Sequence, residues 1–373
     1  MTFLIVTHVI HKSAYGKIYG YAPYVREMNL WIHPFSKVIL VAPVLKGLSP
    51  NPIELPYEHS NLEVREVQEI NLTTVYSAVR SILSLPQIIF QIFIAMSKAD
   101  HIHLRCPGNI GLLGCFVQIF FPFKKKTAKY AGNWDPTSLQ PFTYQIQKKV
   151  LSSTLLSHNM KALVYGNWKG DSSNVIPFFT ASYSHSEILD INKGLPGIGE
   201  KLNLIFVGSL VEGKNPLMAL QSLKLLVDKG YQVHLDVCGD GNQYKLLEDY
   251  IRENGIEQFV SLLGNVNATD LKTLYKKAHF LIFLSDSEGW PKVVAEAMFF
   301  GCIPITTPVS CVPDMLGIDE RGDLISKDPK EVLRIIDFYF KFPSKYSSKS
   351  IKAREWSNKF TLELFNDEIM RLI

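Results

Sequence analysis

The chain lacks cysteines at any spacing that cysteine chemistry uses. Its five thiols, Cys106, Cys115, Cys238, Cys302 and Cys311, are an odd number without a C-x-x-C pair, and no histidines stand where they would complete a zinc site. A disulfide framework is excluded, and reduced, cytosolic thiols are expected. Also missing is an apolar run of the roughly twenty residues that a spanning helix needs. Leu83 to Met96 and Ile110 to Phe123 stop at about fourteen residues each, the first containing Pro86 and Gln87, so neither is expected to cross a bilayer. Thr2 to Val9 is apolar without a basic lead-in or a small-residue cleavage site, which reads as a first core strand rather than a signal peptide. No internal repeat or low-complexity tract is present. The net charge of +4 is modest and not strongly asymmetric, which gives no case for nucleic acid as a partner.

What is there is a globular composition: 373 residues, 47% hydrophobic and 20% charged, with 20 prolines scattered along the chain. That length fits two α/β domains of about 150 to 200 residues, and two domains imply a cleft. From Lys201 onward short apolar runs alternate with helical patterns, as in a parallel sheet with crossover helices. Strands are expected at Leu202–Val207, Val233–Cys238, Phe259–Leu263, Phe280–Leu284 and Ile303–Thr306. Helices are expected over 216–229, 242–254, 269–277 and from Pro291. The first half has the same rhythm less regularly, with strands at Thr2–Val6, Lys37–Val41, His101–Leu104, Lys126–Tyr130, Ala162–Tyr165 and Asn174–Ile176. Residues 178–200 are polar and turn-rich and read as a linker. The expected fold is α/β, two Rossmann-like domains facing each other across a cleft. The first covers 1–180 and the second 181–351, with a C-terminal helix over about 352–373 packing back on the first. Open parallel sheets bind ligands beyond the carboxyl ends of their strands.

The most informative segment runs from Ser287 through Glu288, Gly289, Trp290, Pro291, Lys292 and Val293 to Glu296, directly after an apolar strand. It sets two carboxylates eight residues apart across a strand-to-helix junction. Pro291 suits the first helical position, leaving the amides of Lys292, Val293 and Val294 to face an anion such as a diphosphate. Glu288 then reaches hydroxyls of a sugar beyond that diphosphate. Glu296, leaning back toward the helix start, accepts from ribose hydroxyls. The bland alternative makes Glu288 a turn residue and Glu296 a solvated helix position. Against it stand Val293, Val294, Ala297 and Met298, which make the helix otherwise buried, where an unpaired carboxylate is costly.

This segment resembles the E-x7-E motif of family 4 glycosyltransferases, which adopt the GT-B fold. The resemblance extends over Gly208-Ser209-Leu210 to Lys214, similar to the family's phosphate loop, and over Gly239-Asp240-Gly241, Gly264-Asn265-Val266 and Gly301 to Ile305. It implies that Lys214 binds the donor diphosphate, that the backbone near Gly264, Asn265 and Val266 flanks the base, that Glu288 holds the transferred sugar and that Glu296 holds the ribose. Ser209 departs from the pattern, standing where the family usually has an arginine, with Arg105 or Lys292 as candidates to compensate. The resemblance further implies a retaining, front-face reaction in which the leaving diphosphate helps deprotonate the acceptor hydroxyl. Other glycosyltransferases hold a metal on a D-x-D pattern. That pattern is absent and Asp286 has no aspartate two residues to either side, so neither metal nor cofactor is expected.

In the first half, Gly16 to Gly20 sits about where the family places a glycine-rich loop close to the donor phosphates. Arg105, ending a strand, is the best candidate cation there, with His103 secondary because a lone strand histidine is more often a core residue. Where many members carry a histidine facing the sugar, this chain has Ala131, so that contact is lost or supplied by Asn133 or Asp135. The stretches Gly16 to Trp31 and Tyr130 to Pro136 resemble bacterial members associated with cell-surface polysaccharide assembly. The expected partners are a nucleotide-sugar donor and a glycan or lipid-linked acceptor, and the expected place is the cytoplasm. Phe120, Phe121, Pro122 and Phe123 before Lys124, Lys125 and Lys126 read either as a peripheral contact with the inner face of the plasma membrane or as a core helix and solvated turn. Two rival functions share the architecture: a sugar-nucleotide epimerase, and a catalytically silent nucleotide-sugar-binding subunit.

Overall fold

The computed structural model describes residues 1–51, 53–71, 73–189, 193–197, 199–317 and 320–373. The chain divides into two compact units, one formed by Met1–Thr180 with Phe365–Ile373 and the other by Ala181–Leu364. Of the stretch read as a linker, residues 190–192 and 198 lie outside the described residues.

The second unit is built on a parallel sheet in the order Val260–Gly264, Val233–Cys238, Leu202–Val207, Phe280–Phe283, Ile303–Thr306 and Asp323–Leu324. Its central strands are apolar on both faces, as a sheet covered on two sides requires: Leu204, Ile205, Phe206, Phe280, Leu281 and Ile282 are all fully buried. Helices start where polar caps stand. Asn267 accepts from the amides of Thr269 and Asp270 ahead of Ala268–Lys277, and Asp328 accepts from Lys330 ahead of Pro329–Lys341. The helix Pro216–Asp228 opens on proline directly after Asn215.

The first unit carries a parallel sheet in the order Val175–Pro177, Met160–Val164, Lys125–Tyr130, His101–Cys106, Thr2–Val6, Lys37–Ala42 and Leu62–Glu66. A small second sheet, Val44–Lys46, His11–Ala14, Lys17–Tyr21 and Glu54–Pro56, lies beside it in the chain and was not foreseen. Four sequence expectations change here. The stretch containing Gly16 is a tight hairpin rather than a loop, turning through Tyr15 and Gly16 at φ 52° and 72°, the left-handed conformation such turns demand. Leu83 to Met96 belongs to a longer helix, Val75–Lys98, whose 24 residues are long and apolar enough by length and composition to cross a membrane. One face of it is nevertheless packed into the unit's core through Ile88, Ile92, Ala95 and Met96. The C-terminal return begins later than residue 352. Pro343–Ser357 stays with the second unit, whereas Phe365 packs its ring on Phe178 and Phe179, 5.6 and 5.7 Å away, and Lys125 donates to the carbonyl of Ile373. Finally, Lys126 does not face outward. It is buried, with Nζ donating to the carbonyls of Gln118 and Phe121, and burial lowers its pKa to about 8.

Among the described residues, several histidines are folded in as neutral rings, His11, His101 and His279 among them. Burial lowers His11, His101 and His279 to about 4, with Lys125 and Lys161 assisting at His101 and Lys193 at His279. Unfolded, each titrates near 6.5, so below that pH the unfolded chain binds protons that the folded chain refuses. Their contribution is intact above pH 6.5 and drains away as the pH falls toward 4, at roughly 1.4 kcal/mol per unit for each ring. A melting temperature that drops steadily between pH 7 and pH 5 is expected by scanning fluorimetry. A flat profile would contradict the neutral, buried assignment.

Candidate functional site

The site begins with two strands that pair. Leu204 and Ile205 lie opposite Phe280 and Leu281, so the loops that follow these strands emerge side by side at the carboxyl edge of the second unit's sheet. Asn215 joins them. It holds a left-handed backbone at φ 51°, which a short amide side chain tolerates, and its Nδ2 donates to the carbonyl of Leu284 and to Asp286, at 2.8 and 2.7 Å. The carbonyl of Gly213 accepts from the amide of Asp286 at 2.9 Å and from Ser285 Oγ at 3.3 Å. These bonds bring Lys214 against Glu288 as an ion pair, with side chains 26% and 11% exposed. The Lys214 ammonium also stands 5.5 Å from the ring centre of Phe283. Two residues separated by 74 positions thus present a cation and a carboxylate together at one loop junction.

The helix behind them is Lys292–Phe299, with Pro291 as its cap rather than its first residue. This corrects one expectation: the Val294 amide is taken by the Pro291 carbonyl at 3.0 Å and does not face an anion. The preceding loop is fixed from behind by Ser310 Oγ and Cys311 Sγ, both donating to the carbonyl of Gly289. Trp290 stacks on Trp356 and meets Phe360 edge-on, which makes it a packing residue of the loop. Val294, Ala297 and Met298 are fully buried, as the pattern implied, and Val293 is half-buried. Glu296 is not left unpaired. Ser182 Oγ donates to one oxygen at 2.6 Å and the Tyr275 hydroxyl to the other at 3.3 Å. Burial, and then the Glu296 charge, push the Tyr275 phenol up, which keeps it a donor. Nothing in the sequence pattern pointed to Tyr275.

The glycines at this edge are there for close approach. A Cβ at Gly239 would lie 1.8 Å from the carbonyl oxygen of Gly208, and one at Gly241 would lie 2.4 Å from that of Leu210. The loop Gly208 to Leu210 is bound in place by the Gly208 amide on Cys238 and the Leu210 amide on Asp240. Ser209 is exposed at its crest. Gly264, at φ 62°, accepts from the Gly239 amide and turns the chain so that Asn265 is exposed and Val266 half-buried. Loops from four strands therefore line one edge.

In the first unit, the carboxyl edge holds Arg105, its guanidinium 5.3 Å from the Tyr24 ring centre and its Nη1 buried with no hydrogen-bond partner among the described residues. His8, which the sequence reading missed although it follows the first strand, lies with Gly108, Asn109, Glu69 and Tyr144 around a cavity of about 160 Å³. Desolvation and the Arg105 charge lower its pKa. The three acceptor-side candidates take the following places. His103 is a core residue, fully buried, bonded to Thr127 and packed on Trp31 at 4.7 Å. Asn133 is buried and caps the Asp135 amide. The Asp135 carboxylate accepts from the amide and hydroxyl of Thr137 and so shapes its own turn. Gly16 sits at the hairpin tip with open space around it.

Residues 191–356 match the family model described as glycosyl transferases group 1. Among curated relatives, an α-1,4-N-acetyl-D-galactosaminyltransferase of Campylobacter jejuni, named for an undecaprenol-diphosphate-linked glycan, is 38% identical over 36% of this chain and 37% of its own length. Protein CapJ of Staphylococcus aureus is 21% identical over 79% of this chain and 75% of its own length. The chain thus matches little more than a third of the first and three quarters of the second. Among solved structures, HepE of Anabaena in complex with UDP and glucose aligns with a TM-score of 0.70 at 13% identity, covering 99% of this chain and 98% of HepE. Sucrose-phosphate synthase of Thermosynechococcus elongatus gives 0.70 at 16% identity, covering 100% and 98%. Likenesses at this identity establish the fold, which is GT-B.

The close approach at Gly239 is testable. Gly239→Ala has no room beside a backbone carbonyl, so a loss of about 1 to 3 kcal/mol is expected as a lowered midpoint in urea denaturation. An unchanged midpoint would show that the two loops do not touch.

Proposed function

We propose, from the match of residues 191–356 to the model of glycosyl transferases group 1, that the chain is a retaining glycosyltransferase that moves a sugar from a nucleotide-diphosphate donor to a hydroxyl of a glycan or lipid-linked acceptor in cell-surface polysaccharide synthesis. The observation that carries the reading is the Lys214–Glu288 pair at the shared loop junction, with Glu296 on the helix just behind. A donor needs both signs of charge there. Its diphosphate takes the ammonium of Lys214, and the released carboxylate of Glu288 accepts from hydroxyls of the transferred sugar. The pair keeps a half-buried cation and anion compensated before the donor arrives, so the site need not hold either charge unpaired. Glu296, already oriented by Ser182 and Tyr275, has lone pairs left for ribose hydroxyls. The UDP bound by HepE supports a donor of the UDP-sugar class. The acceptor named for the Campylobacter enzyme supports a lipid-diphosphate-linked one.

In the proposed reaction the bond between the anomeric carbon and the diphosphate oxygen breaks, and a bond from the acceptor oxygen forms on the same face. The acceptor proton passes to the departing phosphate oxygen. No protein nucleophile takes part. Charge builds on the leaving diphosphate, and Lys214, fixed by the Asn215 bridge, stabilises it without having to reorganise. Ser209 supplies no second cation, so we assign the remaining phosphate charge to Lys292 of the same unit. The reaction is drawn without a metal.

Calorimetric titration with UDP tests the assignment. Lys214→Ala and Glu296→Ala are each expected to weaken binding about tenfold or more, the scale of a charge-assisted hydrogen bond, while circular dichroism stays native. Wild-type affinity in both variants would place the nucleotide elsewhere.

A further inference from the structure

The helix Val75–Lys98 has two apolar stripes, and the wrong one faces out. Its buried face is Ser81, Ser84, Ile88, Ile92, Ala95 and Met96. The opposite face carries Val79, Ile82, Leu83, Ile89, Phe90 and Phe93, between 40% and 76% exposed. Their spacing of three and four residues makes a continuous outward stripe, which with Val75 and Tyr76, at 83% and 79% exposed, runs about 27 Å along the helix. Core packing does not account for it, because the face that packs is the less apolar of the two. At the C-terminal end the stripe continues onto the next segment. Phe93 meets Phe121 at 5.0 Å, Lys124 donates to the carbonyls of Ser97 and Ala99, and Phe120 and Phe123 are 73% and 88% exposed. Monomeric soluble proteins rarely leave so long an apolar surface in water.

Charge selects the occupant. The overall +4 hides a segregation: residues 70–170 hold eleven lysines and arginines, of which Lys126 and Lys129 are buried, against Asp100 and Asp135. Asp100 is engaged by the Thr2 amide and Asp135 by Thr137. On the helix itself the charged residues are Arg80 and Lys98, both exposed and both basic. A second copy docked on this face by a two-fold axis would set basic rim against basic rim. An anionic bilayer satisfies both features, taking the apolar stripe into its acyl boundary and the basic rim into its headgroups. We propose that the outward face of Val75–Lys98, extended by Phe120 and Phe123, is a membrane-resting surface for anionic phospholipid. It rests on this surface alone and not on the donor site.

Co-sedimentation with vesicles tests it, using phosphatidylcholine alone or with about a third phosphatidylglycerol, at low and high salt. Binding is expected to the mixed vesicles only, and to fall with salt. The double variant Leu83→Glu/Phe90→Glu should lose at least tenfold in vesicle binding, and Arg80→Glu/Lys98→Glu should lose the preference for phosphatidylglycerol. Because these side chains point to solvent, melting temperature and UDP affinity should not change, which separates this surface from the donor site. Equal binding to both vesicle types, or binding unaffected by Leu83→Glu/Phe90→Glu, would overturn the proposal. So would no binding, accompanied by a dimer in light scattering that the same variant dissolves, since that would assign the face to a second copy.

Discussion

The candidate site depends on one lateral constraint: two loops from adjacent parallel strands are stitched together by Asn215 and the carbonyl of Gly213. Without those bonds Lys214 and Glu288 would be surface residues on separate loops, each free to find water. With them, the ammonium and the carboxylate are held in contact at low exposure, where a charge pair is worth more than on an open surface and where breaking it without replacement is costly. A ligand that supplies an anion to one partner and hydroxyl donors to the other exchanges the pair without leaving either charge bare. That is a demanding chemical specification, and a nucleotide sugar meets it.

The second unit was legible because its signals are local. Buried parallel strands read as continuous apolar runs, so Leu202–Val207, Val233–Cys238 and Ile303–Thr306 fall where the pattern puts them. The two glutamates were legible for the same reason, since their spacing across one helix start is a property of a short stretch. What escaped is long-range. The partners of Glu296 come from Tyr275 on another helix and from Ser182 in a stretch read only as a linker. The Lys214–Glu288 contact is set by strand order rather than by spacing in the chain. In the first unit, His103 and Asn133 were candidates by chemical type alone, and their burial beside Trp31 and within a turn is set by contacts the local sequence does not display. The small sheet beginning at His11 was missed because its strands are three to five residues long and lack the apolar runs that betray core strands.

Composition was misleading in one instructive way. Apolar stretches of about fourteen residues argued against a spanning helix, and the modest net charge of +4 is an average over the chain. Basic residues gather in one part of the first unit, and the helix that covers the sheet there is longer than its apolar core suggests and more apolar outward than inward. The second unit carries the polar loop stitching, and the first carries the outward apolar face.

The central claim is that the Lys214–Glu288 pair is the gate to the donor diphosphate. The most direct measurement is a crystal structure of the protein with an intact UDP-sugar bound. The account predicts an opened pair, with Lys214 Nζ on a diphosphate oxygen and Glu288 turned to sugar hydroxyls. A bound nucleotide sugar beside a pair that stays closed would contradict it.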